Sequence, residues 1–312
     1  MHVRFRVPVA LLGSGTAGML VAVQSRINGG LSQQIGNGYL AAAVSFGSGT
    51  LLLALITLLT PKARRGMRLL STEVRSGRYP VWGLLGGTCG AFFVLTQGLV
   101  ASVIGLALFT VGIVAGQVLG GLLMDRIGLG PGGRVDPSLQ RVLGTGLAVV
   151  AVAISVAGGL GGSGSPWLVV VPLIAGIGMA WQSAVNGLVR AAAQSAIAAT
   201  FVNFVVGTVV LVIAAAVSLA VQGWPESWPS EPWFYVGGVI GMIFIAVAAI
   251  LVRLTGVLLL SMSNVAGQLI ASVLLEASLP LAGGVTALMA VGTAVALVAV
   301  MIASLPGRGA RA

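Results

Sequence analysis

The chain has one cysteine, one histidine and only six acidic residues, against sixteen basic ones, in a length of 312. Cys89 alone can form neither an intrachain disulfide nor a multi-thiolate metal site, and its apolar surroundings read as buried filler. His2 stands at the extreme N-terminus, so a zinc site or a histidine-based catalytic constellation lacks its partners. No GxxxxGK[ST] segment occurs and no connection is long enough to house a nucleotide-binding domain, which excludes direct drive by nucleotide hydrolysis. The net charge of +10 does not indicate nucleic acid, because the basic residues are scattered in short connections rather than gathered on one folded face. No cofactor is implied.

Charge is also missing over long stretches. Between Arg78 and Asp125 lie 46 residues without Asp, Glu, Lys or Arg, and between Arg141 and Arg190 lie 48. Each gap accommodates two bilayer crossings of about 20 residues. With 57% hydrophobic residues and a mean hydropathy of +1.08, the chain is an integral membrane protein. Unpaired backbone groups are too costly in lipid for anything but helices here. The expected fold is therefore all-α, a polytopic bundle of ten transmembrane helices. The spans fall near Val7 to Ser25, Gly36 to Thr60, Trp82 to Val100, Ser102 to Met124, Val142 to Leu160, Trp167 to Leu188, Ser195 to Val221, Trp233 to Val252, Leu254 to Leu275 and Leu279 to Leu305. Arg4 and Arg6 before an apolar run give the first span the look of a leader. Part of it recurs inside the chain, however, so it reads as a retained helix.

With the N-terminus in the cytoplasm, fifteen of the sixteen basic residues fall in inner connections and only Arg26 lies outside. The positive-inside rule thus places both termini in the cytoplasm. The outer segment around Glu226 and Glu231 carries Trp224, Trp228 and Trp233, an interfacial aromatic pattern.

The chain repeats itself. Gln24-Ser25-Arg26-Ile27-Asn28-Gly29 recurs as Gln182-Ser183-Ala184-Val185-Asn186-Gly187, and the same offset of 158 pairs Phe46, Gly49 and Thr50 with Phe204, Gly207 and Thr208. Farther on the offset is 151. Gly86-Gly87 and Gly90 then match Gly237-Gly238 and Gly241, Ala115-Gly116-Gln117 matches Ala266-Gly267-Gln268, and Asp125 matches Glu276. Two units result, residues 1–160 and 161–312, divided at the Gly-rich stretch before Pro166. Five crossings per unit is an odd number, so the second enters the membrane upside down. Inverted repeats are a recurring construction of secondary transporters, and the functional reading rests on that analogy.

Buried amides need partners, so polar side chains within spans face the bundle interior. Gln24 and Asn28 share one helix face, as do Gln182 and Asn186, while Gln117 and Gln268 lie nearer mid-span. These six are the expected lining of a central polar site for a small solute, with Trp181 offering a cation-attracting ring; interhelical bonding is the competing role. Weaker candidates are Ser45, Ser48, Thr96, Gln97, Asn203, Ser261, Ser263 and Asn264. Asp125 and Glu276, at opposite ends of related helices, are candidates for gating or coupling. No acid sits in the middle of a span. Gly112, Gly116 and Gly120 repeat every four residues and allow close backbone approach.

At QSRINGGL and QSAVNGLV, with the two AGQ segments and the Asp125 and Glu276 that follow them, the chain resembles the YdcZ-like branch of the drug/metabolite transporter superfamily. The resemblance implies a bacterial inner-membrane transporter of ten helices in two fused repeats, related to paired short members and usually described as an exporter. The sequence lacks the membrane-centred glutamate in the first helix through which small multidrug exporters exchange protons. The expectation is a secondary-active exporter of a small polar or cationic organic solute, working by alternating access. The alternatives are an intramembrane enzyme on a lipid-linked substrate and a passive channel or scaffold. The expected partners are that solute and membrane lipids, with a monomer or a homodimer both open.

Overall fold

The computed structural model describes residues 2–130, 133–134, 136–159, 166–303 and 305, with side chains except at 2–11, 14, 158–159, 166–167 and 245–263. Arg4, Arg6, Trp167, Arg253, Ser261, Ser263, Arg308 and Arg311 therefore lie outside the described side chains. Among the described residues there is no strand. The helices are α1 (His2–Ile35), α2 (Gly38–Leu59), α3 (Pro61–Arg75), α4 (Gly86–Thr96), α5 (Ser102–Ile104), α6 (Leu106–Ile127), α7 (Leu139–Gly159), α8 (Val170–Ala193), α9 (Ala196–Gln222), α10 (Gly237–Ser278) and α11 (Ala287–Ala303). Five described stretches are long and apolar enough to cross a membrane: Gly38–Leu59, Val81–Ile104, Leu106–Ile127, Leu139–Ala157 and Ala196–Gln222. The chain is an all-α membrane bundle.

Helix ends follow local chemistry. Gly36 takes φ of +67° after α1, and the Asn37 side chain then accepts from Leu40 N–H to start α2. Gln194 (φ +51°) and Ser195, which accepts from Ala198 N–H, do the same between α8 and α9, 158 residues on. Thr60 and Pro61, the latter at the first helical position, end α2 and begin α3.

Three departures from the sequence reading are structural. The connection after α2 is not a loop but the amphipathic helix α3, whose narrow apolar seam of Ala63, Gly66 and Leu70 is buried. The break read at Ala101 falls instead at Gly105 (φ +83°), and residues 97–101 form a wide π turn joining α4 to α5. The two runs read as Trp233 to Val252 and Leu254 to Leu275 belong to one helical element, α10. A straight helix of its 42 residues would span about 63 Å. Its first residue, Gly237, nevertheless touches Asn28, while Leu281, just past its end, touches Gly29. The element thus doubles back, bringing both ends to one level of α1.

Contacts across the bundle come in exchange-related pairs. Phe46 of α2 stacks on Phe204 of α9 at 4.8 Å between ring centroids, and Thr50 and Thr208 hydroxyls bond at 2.6 Å. Each phenyl lies against the glycine three residues beyond the other, Gly49 or Gly207. A Cβ on Gly116 of α6 would collide with the Leu173 carbonyl of α8, and one on Gly267 of α10 would collide with the Gly15 carbonyl of α1. Gly176 against Ile113 and Gly18 against Asn264 form a second such pair, and Gly87 against Asn203 and Gly238 against Ser45 a third. Backbones this close exchange Cα–H···O contacts and exclude lipid from the seam. A fourth pair joins α7 and α11. Gly144 meets Ala299 and Gly292 meets Ala151, an offset of 148 that also aligns Thr145 with Thr293.

Candidate functional site

The sequence candidates Gln24 and Asn28 lie on the buried side of α1, 5% and 1% exposed. Asn28 Nδ2 donates to Gln97 Oε1 at 2.6 Å, Gln97 Nε2 donates to Ser25 Oγ at 2.8 Å, and Ser25 in turn donates to the Val21 carbonyl. Gln97 is fully buried at the start of the π turn, which widens the helix where this side chain projects. It is therefore the hub of the first polar cluster. The sequence placed it among the weaker candidates. Gln24 packs on Gly241, and the Asn28 oxygen and Ser45 hydroxyl both lie against Gly237, buried and, among the described residues, without a hydrogen-bond partner. Replacing Gln97 with leucine should leave the buried Asn28 amide without its acceptor and cost about 1–3 kcal/mol, read as a lower unfolding midpoint; an unchanged midpoint would contradict the hub role.

The second cluster is related but wired differently. Asn186 Nδ2 donates to Asn203 Oδ1 at 3.1 Å, and both oxygens lie near Gly86, where the first cluster has Asn28 and Ser45 near Gly237. Gln182 packs on Gly90, and its oxygen and the Asn203 amide nitrogen are buried and, among the described residues, without partners. Trp181 is half-buried beside it on α8.

The six amides do not converge on one cavity in this conformation. Gln268 is 4% exposed and donates to Asn264 one turn earlier at 2.7 Å, whereas Gln117 is half-exposed on α6; among the described residues no hydrogen bond joins the two. The reason is the glycine seam, which sets α6 against α8 and α10 against α1, so each glutamine belongs to a different interhelical groove. Gln268 borders a narrow crevice with Ser25, Phe93, Phe109 and Thr110 among its other walls, none of them ionisable.

The repeat-related acids have diverged most. Glu276 is 0% exposed, and its two oxygens accept from Leu106 N–H (2.7 Å), Leu281 N–H (3.2 Å) and Ala282 N–H (3.1 Å). It thus caps α6, whose first amide Gly105 frees, and ties that end to the loop after α10. Arg26 lies within electrostatic reach of Glu276 and donates to the Leu279 carbonyl at 2.6 Å, while Gln33 bridges the carbonyls of Ser102 and Leu281. Arg26 is therefore part of a latch that ties α1 to the start of α6 and to the loop after α10. Its counterpart Asp125 is half-exposed and pairs with Arg141 of α7. Among the described residues no group of three or more His, Cys, Asp or Glu is assembled.

A buried, uncharged polar interior between exchange-related helices, closed at one end by a carboxylate latch, is the setting in which the comparisons bear. The family described as "DMT_YdcZ: Putative inner membrane exporter, YdcZ" matches residues 9–154 and again residues 167–306. The chain belongs to the YdcZ family. It is the fused form within the drug/metabolite transporter superfamily, and the YdcZ family places it among inner-membrane transport proteins of the exporter type. One of eight matching solved chains, a crystal structure, covers 98% of this chain and 99% of its own, with a TM-score of 0.58 and 18% identity, which shows a shared fold. Among curated proteins none matches. The two YdcZ regions flank the Gly-rich stretch before Pro166, and each contains one copy of the repeated Gln-Ser-x-x-Asn-Gly segment, one AGQ segment and, at the aligned position after it, an acid, Asp125 or Glu276.

Proposed function

We propose that the protein is a secondary-active exporter of a small polar or cationic organic solute, working by alternating access between two inverted five-helix halves, residues 1–160 and 161–312, with both termini in the cytoplasm. The observation that carries this reading is the set of exchange-related contacts. Every pair of glycine seams joins a helix of one half to a helix of the other, so the halves meet along two equivalent faces. Such a construction has two equivalent ways to pack. Glu276, Arg26 and Gln33 hold the outer end shut in one of them, and release of Glu276 from the α6 amides opens it. Gln117 and Gln268, with Gln24, Asn28, Gln182, Asn186 and Trp181, line the solute path as the grooves exchange.

The crevice beside Gln268, once the halves part, offers a solute an apolar face and hydrogen-bonding groups, because two phenyl rings, one amide and the Ser25 and Thr110 hydroxyls border it while no carboxylate does. Energy then comes from an ion or solute gradient rather than from a charge-exchanging residue at mid-membrane. Counterflow in proteoliposomes against a panel of radiolabelled organic cations and amides tests the reading: saturable uptake, accelerated by unlabelled solute on the far side, is expected, and flux that rises linearly without saturation contradicts it. Gln117→Ala and Gln268→Ala are expected to raise the half-saturating concentration of the transported solute about ten-fold, a loss of some 1.4 kcal/mol, with folding intact; unchanged values in both variants remove these residues from the path.

A further inference from the structure

Helix α3 starts one residue after α2 ends, and the chain returns to the bundle through Trp82. Exposed Leu58 and Leu59 at one side and exposed Trp82 at the other place both junctions at the edge of the apolar layer. Between them α3 packs on the terminal turns of other helices. Leu70, Met67 and Val74 lie on Leu188, Val189, Ala192 and Ala193 of the last turns of α8 and on Ala198, Ala199 and Val202 of the first turns of α9. Gly66 fits against Ser195 and the Ala193 carbonyl. The helix therefore lies beside the turn between α8 and α9, near the edge of the apolar layer that Leu58, Leu59 and Trp82 mark, with its seam inward.

The opposite face carries Arg64, Arg65, Arg68 and Arg75, with Lys62 at one margin, and all five are exposed. At 100° per residue the four arginines fall within about 100° of one another, facing away from Ala63, Gly66 and Leu70. Among the described residues they have no counter-ions. Glu73 is bonded to Arg78 through both oxygens, Asp125 to Arg141, and Asp136 to Arg134, and among the described residues no ion pair reaches the five. Glu276 is enclosed in the latch, and Glu226 and Glu231 lie in the connection between α9 and α10.

We propose that this face of α3 is a binding surface for the anionic headgroups of the surrounding phospholipid, holding a short row of them against the flank formed by α8 and α9. Guanidinium groups pair with phosphate in fork geometry, and a row of four on a helix about 22 Å long spans several headgroups. Because α3 is seated on the turn between α8 and α9, lipid bound there bears on the helix pair that carries Gln182, Asn186 and Asn203.

The test uses the full-length protein, as wild type and with Arg64, Arg65 and Arg68 all changed to glutamine, in nanodiscs of phosphatidylcholine alone or with 30% phosphatidylglycerol. Thermal unfolding and the anionic lipid retained after detergent extraction are both measured. The wild type is expected to unfold at a higher temperature in the anionic discs, to lose that gain in high salt, and to retain on the order of ten-fold more anionic lipid than the triple variant. A triple Arg→Lys variant keeps the charge and should retain most of the gain, which separates lipid binding from a folding defect. Equal retention of anionic lipid by wild type and glutamine variant overturns the proposal. So does equal stabilisation of the detergent-solubilised wild type by inorganic polyphosphate, which would assign the face to a soluble polyanion. Neither outcome touches the transport reading, which counterflow tests separately.

Discussion

Glu276→Ala is expected to be among the most damaging single substitutions in the chain, lowering stability by about 4 kcal/mol or more, because three buried N–H groups lose their acceptor at about 1–3 kcal/mol each. Removing the carboxylate strips the cap from α6 at Leu106 and frees the loop at Leu281 and Ala282. It also leaves Arg26 beside no counter-charge. Glu276→Gln preserves the shape and one acceptor oxygen but turns an NH₂ group toward one of these donors, so a smaller loss of about 1–3 kcal/mol is expected. Asp125→Asn serves as the contrast. Although Asp125 is the repeat-related acid, its pairing with half-exposed Arg141 contributes about 1 kcal/mol at most. Unfolding in nanodiscs, followed by intrinsic tryptophan fluorescence, checks the order alanine, then glutamine, then Asp125→Asn. An alanine variant as stable as wild type would show that the latch is not formed.

Gly116→Ala and Gly267→Ala are expected to be comparably severe and, more tellingly, equal to each other. In each, the new methyl lands on a backbone carbonyl, that of Leu173 or of Gly15, and a carbonyl cannot rotate aside as a side chain can. The helices have to separate, at about 3 kcal/mol or more. Gly121→Ala on the same helix meets nothing within 4 Å and should be neutral or stabilising by about 1 kcal/mol, since alanine is the better helix former. Melting of the three variants measures this directly. Markedly unequal losses at Gly116 and Gly267 would contradict the equivalence of the two seams.

Much of this architecture was legible in the amino-acid order, and the reason is lipid. Charge-free runs and Gly/Pro punctuation marked the crossings, and the offsets of 158 and 151 pointed to pairs that the structure brings into contact or equivalent positions, such as Phe46 with Phe204 and Gly116 with Gly267. Three things were not legible. The α7 and α11 relation carries only small residues, so its offset of 148 emerges only when Gly144 and Gly292 are seen against facing carbonyls. Helix α3 hid behind its charge, because a seam of Ala63, Gly66 and Leu70 is too slight to register as an apolar run. The hub role of Gln97 depends on a π turn, a backbone feature with no residue signature, and on a partner supplied from α1. The candidate site was legible as residue types but not as wiring. Gln24, Asn28, Gln182 and Asn186 are buried as expected, whereas the convergence of Gln117 and Gln268 fails in this conformation because the glycine seams send them into separate grooves.

The central claim is that residues 1–160 and 161–312 are inverted relative to each other. Side-specific labelling tests it most directly. In a background with Cys89 replaced by serine, single cysteines are placed at Ser76, in the connection after α3, and at Ser230, in the connection between α9 and α10. A membrane-impermeant maleimide added to right-side-out vesicles is expected to modify the cysteine at 230 and spare the one at 76, with the pattern reversed in inverted vesicles. Modification of both positions from the same side would contradict the inversion and, with it, the alternating-access account.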